Sequence, residues 1–140
     1  MITAKRFLQQ TRIITERISD KQEAMRRYRE QAERMAAACT GMPGGGERKS
    51  RMAEMVECYV DLEAECAAEV ERLREIQKKT WWMLEEMEDE RGKQIIEERY
   101  ILGYTWPAIA RHVYCSCDHV FKLHRAALAE FQKIFEKWEC

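Results

Sequence analysis

Residues 99–131 read RYILGYTWPAIARHVYCSCDHVFKLHRAALAEF, and the breakers in this stretch set the architecture of the C-terminal third. A helix through Ile95, Ile96 and Tyr100 is expected to stop near Leu102-Gly103. Thr105 reads as an N-cap, with Pro107 in the first helical turn, where its missing N–H costs nothing. The helix so started is short, Trp106–His112, and Val113-Tyr114-Cys115 follow it. Ser116 reads as a second N-cap, opening a long amphipathic helix through Val120, Leu123, Ala127, Leu128, Phe131 and Phe135. Ile109, Ala110, Val113, Val120, Leu123 and Leu128 make the inward face. Ala110 is small where the helices approach closely, and Cys115 in the turn is expected to point inward.

Upstream, one strong breaker interrupts the first hundred residues: Thr40-Gly41-Met42-Pro43-Gly44-Gly45-Gly46. Consecutive glycines do not hold a helix, since each costs roughly 1 kcal/mol relative to Ala. Before it, Ala4, Phe7, Thr11, Ile14, Ile18, Lys21, Met25, Tyr28, Ala32, Met35 and Cys39 recur at alternating spacings of three and four. After it, Met52, Val56, Tyr59, Glu63, Cys66, Val70, Leu73, Gln77, Thr80, Leu84 and Met87 keep the same rhythm, with Leu62 and Ile76 widening the stripe. Both runs are heptad seams. Residues 1–39 carry nine Lys/Arg against five Asp/Glu, and residues 47–87 carry seven against eleven. Opposite charge and a short loop predict an antiparallel hairpin, each arm about 50 Å long. Its core would be thin, so a second copy of the chain or a third helix is expected to cover it, and Trp81-Trp82 are expected to pack where it meets the C-terminal domain.

The fold class expected is therefore all-α: a long, coiled-coil-like antiparallel hairpin over residues 1–87, with a Gly-rich loop at 40–50, then a helix-turn-helix domain over 88–140. A short helix, a tight turn and a longer second helix are the geometry in which the second helix enters the DNA major groove N-terminal end first. Residues 99–133 hold five Lys/Arg against two Asp/Glu, a locally basic segment in a chain whose formal net charge is only −1.

This segment resembles the fourth, minus-35-reading region of bacterial sigma factors. It is similar, more closely still, to the sigma-like end of phage late-gene transcriptional regulators of the ArpU and RinA type. The residues that carry the likeness are Arg99-Tyr100, Gly103, Thr105-Trp106, Ile109-Ala110, Tyr114 and Ser116, His124 and Ala127-Leu128. The opening AKRFLQQTRIITERISDKQEAMRR resembles the N-terminal helix of the same family. The chain departs from the pattern where Cys115 separates Tyr114 from Ser116 and where Pro107 replaces an acidic residue. The resemblance implies a transcriptional activator of phage or prophage genes. Its base contacts fall on Cys117, Asp118, His119, Phe121 and Lys122, and it gives a functional role to His124. Chemistry supports three of these independently: Lys122 can donate to guanine, Asp118 can accept from cytosine, and Phe121 can touch a thymine methyl. Ser116 caps the second helix and sets its free N–H groups beside phosphate; Thr105, the cap of the first, is counted with the DNA-binding residues, and Arg125 lies further along, within reach of the backbone.

Other chemistries find less support. The run His112-x-x-Cys115-x-Cys117-x-His119 invites zinc, but C-x-C is not a chelating spacing, and the expected motif points Cys115 inward while Cys117 and His119 point outward. The acids Glu85-Glu86 and Glu88-Asp89-Glu90 lack a companion His or Gly-rich loop and read as a solvated face. Gly44–Gly46 lacks the following Lys-Ser/Thr of a phosphate loop. Neither an enzyme nor a bound cofactor or metal is expected. No apolar run of about 18 residues exists, and the start of the chain lacks a signal peptide's apolar segment. The expectation is thus a cytoplasmic protein of a bacterial host, its six cysteines free thiols. The expected partners are double-stranded DNA, a second copy of the chain, and RNA polymerase. Two other functions remain open: a small terminase-like packaging subunit, and a protein-only helical adapter.

Overall fold

The computed structural model describes residues 2–38 and 46–139, apart from the side chain of Arg48. Every regular element among them is helical: α1 (Ala4–Ala38), α2 (Gly46–Glu85), α3 (Glu90–Ile96), α4 (Trp106–His112) and α5 (Cys117–Glu139), with a π-helical turn, Glu97–Ile101, continuing α3. Most of the expected Gly-rich loop, with Cys39, lies outside the described residues, and α2 already begins at Gly46. Glycine's cost belongs to helix interiors; at the first position it interrupts nothing. No described helix is long and apolar enough to cross a membrane.

The packing divides the chain into two compact units: Met1–Ile13 with Leu73–Cys140, and Ile14–Arg72. The boundary expected between residues 87 and 88 falls inside the first of these.

In the Ile14–Arg72 unit, Arg17 and Lys21 of α1 pair with Glu69 at 3.7 and 3.9 Å, and Lys21 also reaches Glu65 at 3.6 Å. Further along α1, Arg29 donates to the Tyr59 hydroxyl at 3.3 Å. Contacts that advance along α1 retreat along α2, so the helices of this unit run antiparallel. The α1 seam is as expected, with Ile18, Lys21, Met25, Tyr28, Ala32 and Met35 all partly buried. On α2 and just after it the seam holds at Met52, Tyr59, Cys66, Leu73, Gln77, Thr80, Leu84 and Met87, and three of its positions move by one residue. Val56, Glu63 and Val70 are exposed, and Met55, Leu62 and Glu69 take the inner positions. The polar seam residue Lys21 accounts for this at Glu69: a partly buried ammonium is costly without a carboxylate opposite, and Glu69 supplies one.

The other unit holds a continuous apolar core. Ala4, Phe7 and Leu8 from α1, Met83 and Leu84 from α2, Ile96 and Tyr100, and Ala127, Phe131 and Phe135 from α5 bury one another. Gly92 of α3 permits the closest approach, because a Cβ there would lie 3.0 Å from the Ala127 Cβ. Asp89 caps α3 by accepting from the Arg91 amide at 3.2 Å. In the π-helical turn the Leu102 amide reaches back to the Glu97 carbonyl at 3.0 Å, and Gly103 ends the run with φ +76°. Trp81 and Trp82 stay substantially exposed. Trp82 stacks on Trp138 with ring centres 6.2 Å apart, and the Trp138 indole N–H donates to Glu86.

Candidate nucleic-acid interface

Both N-caps of the C-terminal segment form as expected. The Thr105 hydroxyl accepts from the Ala108 amide at 3.3 Å, and the Ser116 hydroxyl from the His119 amide at 3.2 Å. Pro107 sits in the first turn of α4. Between the helices, the Cys115 amide returns to the Ala110 carbonyl at 3.0 Å, the long bond of a Schellman ending. That ending needs a left-handed residue, normally glycine; here it is Tyr114, φ +58°, its side chain 93% exposed.

A second small core locks α4 against α5: Ile95, Ile109, Ala110, Val113 and Val120, with Trp106, Cys115, Cys117 and Leu123 packed on it. Leu128, expected on this face, packs instead with the larger core. Cys117 turns partly into the small core, so this thiol is not presented as a base reader. Asp118, His119, Phe121, Lys122 and Arg125 are exposed on the first turns of α5. None of the charged or imidazole side chains in that set has an intramolecular partner among the described residues. Phe121, 40% exposed, is backed edge-on by Trp106 at 5.4 Å.

His124 is placed differently from the other candidates. It is 8% exposed, hydrogen-bonded to the Tyr100 hydroxyl at 2.9 Å and set edge-on to Trp106 at 4.7 Å. Burial, with Lys5 and Arg99 nearby, lowers its pKa to about 4. A neutral, enclosed imidazole is a packing residue here, with no face left for phosphate. Burial likewise raises the pKa of Tyr100. Spacing alone does not announce this, because position 124 borders both the polar and apolar faces of α5.

The histidines and cysteines of 112–119 do not converge. His112 Nδ1 is bonded to the buried carboxylate of Glu98, and its ring meets Tyr104 edge-on. Cys115 points to the Val113 carbonyl. Among the described residues no three His, Cys, Asp or Glu side chains gather closely enough to hold a metal ion.

Arg99 was not among the expected contacts. Its guanidinium lies over Trp106, the ring that backs Phe121, at 4.4 Å and donates to the Tyr104 carbonyl at 3.1 Å. Burial and the proximity of Arg12 lower its pKa. The one available signal was its place before Tyr100, at the turn where α3 ends. No protein-family model, curated protein or solved structure matches the chain.

Proposed function

We propose that this chain is a sequence-specific DNA-binding transcriptional regulator, an activator of phage or prophage genes acting in the bacterial cytoplasm. In this reading α4 and α5 are a helix-turn-helix, and the N-terminal turns of α5 enter the major groove. One observation carries it. The capped start of α5 projects Asp118, His119, Lys122 and Arg125 outward without internal partners, from a core that fixes their direction. Groove-reading side chains need that combination of rigid backing and unspent hydrogen-bonding capacity. The Ile14–Arg72 unit serves association with a second copy or with RNA polymerase; exposed Val56 and Val60 on α2 give it apolar surface for that purpose.

Capture and sequencing of bacterial and prophage DNA fragments supplies a selected duplex, and fluorescence anisotropy compares it with a scrambled one. Lys122→Ala costs about 1–3 kcal/mol on the selected duplex and little on the scrambled one. Arg125→Ala weakens both and lowers the salt slope by roughly one. Sedimentation at micromolar protein shows a dimer or larger species. Parent-like binding by both variants removes this face from DNA reading and favours a protein-only adapter.

A further inference from the structure

Lys5 and Arg12 on α1, and Arg99 on the π-helical turn, are among the cations outside α5 to which this reading gives no role. Two buried or half-buried hydrogen bonds fix the start of α1 beside the C-terminal helices. The Ala4 amide donates to Gln132 Oε1 of α5 at 2.8 Å, and the Thr11 hydroxyl donates to the Tyr100 carbonyl at 2.6 Å. The Phe7 and Phe135 rings, 5.3 Å apart, hold the turn between them. Lys5 follows Ala4 and Arg12 follows Thr11. Seven residues apart, they share one face of α1. Phe121, Arg125 and Gln132 share one flank of α5 by the same periodicity; α1 begins beside Gln132 on that flank, and its Thr11–Arg12 turn lies beside Tyr100, the neighbour of Arg99.

The charge in this place is uncompensated. None of Lys5, Arg12 and Arg99 has a carboxylate within 4.0 Å among the described residues, although the chain has 25 Asp and Glu to place. In the Ile14–Arg72 unit Arg17, Lys21, Arg26, Arg27 and Arg72 sit against glutamates, while Arg29 bonds to the Tyr59 hydroxyl. Arg99 is also held, by the Trp106 ring and the Tyr104 carbonyl, so it does not swing away to relieve the repulsion. Arg12 lies near enough to lower the pKa of Arg99, and Lys5 and Arg99 near enough to add to the lowering that burial imposes on His124.

We propose that the first turns of α1 are a wing of the DNA interface, in which Lys5 and Arg12 together with Arg99 bind backbone phosphates beside the groove that α5 enters. The inference rests on the DNA-binding reading of α5. Lys5 and Arg12 stand about 10 Å apart along α1, close to the axial rise of three phosphates on one strand. Such contacts carry no sequence information and fix the register of the reading helix.

The test uses the full chain, a selected and a scrambled duplex, and a salt series. Lys5→Ala with Arg12→Ala lowers affinity for both duplexes equally, between about tenfold and a hundredfold near 0.1 M salt, and makes the salt slope shallower by about 1.8. Lys5→Arg with Arg12→Lys restores both. Lys49→Ala with Arg51→Ala removes the same charge from the other unit and leaves binding at the parent level. Parent binding with an unchanged slope in the first variant overturns the wing and leaves the α5 reading intact. An equal loss in the Lys49/Arg51 variant also overturns it, since net charge alone then explains the effect. A parent chain that binds neither duplex overturns the DNA reading itself.

Discussion

The two units follow the same heptad rhythm and bury very different amounts of it. Apart from Ile14, every buried side chain among the described residues lies in Met1–Ile13 or Leu73–Cys140. In Ile14–Arg72 the seam side chains Met25, Tyr28, Met55, Tyr59 and Leu62 remain half open. Geometry accounts for the contrast. Two facing helices each cover one stripe of the other and leave the flanks in water. In the other unit the ends of α1 and α2 are joined by α3, α4 and α5, which close the flanks. Periodicity announces a seam, but enclosure depends on how many helices converge on it.

The contrast predicts where substitutions hurt. Phe131→Ala empties the centre of the larger core and costs about 3–5 kcal/mol. Val60→Ala, at a side chain 55% exposed on α2, stays within about 0.5 kcal/mol. Denaturant melts followed by circular dichroism compare them directly, and equal losses break the distinction between the units.

A second effect separates the units by pH. His124 titrates at about 4 in the folded chain, against 6.5 when unperturbed. Between those values the unfolded chain binds the extra proton, so stability is full above pH 6.5 and declines as pH falls through that window. From pH 7 to 5 the expected loss is about 2 kcal/mol. His124→Gln flattens the slope in this range, while a slope retained in the variant assigns it to other groups.

The smallest expected effect sharpens the view of the open unit. Lys21 and Glu69 sit opposite each other in its seam, with side chains 23% and 13% exposed. A double-mutant cycle on Lys21→Ala and Glu69→Ala yields a coupling of about 0.5–1 kcal/mol, in the range of partly solvated pairs. A coupling of several kcal/mol means that this seam is covered in solution, by a second copy of the chain.

Much of the molecule was legible in its residues because the signals are local. The caps at Thr105 and Ser116, Pro107 at the start of α4, the stop at Gly103 and the all-helical composition each depend on a few neighbouring side chains and their hydrogen bonds. The α1 seam follows from spacing in the same way. The choice between Val56 and Met55, or between Val70 and Glu69, does not, because neighbouring positions satisfy the same period. The partner helix selects among them through groups such as Lys21.

Tertiary structure alone decided the rest. It joined the start of α1 to α5 across 128 positions of sequence through Gln132, and to the π-helical turn across 89 through Tyr100. It closed His124 behind Tyr100 and Trp106, where a pattern of residue types suggested a surface contact. It also brought Arg99 close enough to Arg12 for the two charges to interact. The physical reason is common to all three. Burial and electrostatic fields depend on distances between elements, and those distances arise only when separate helices pack around a shared core.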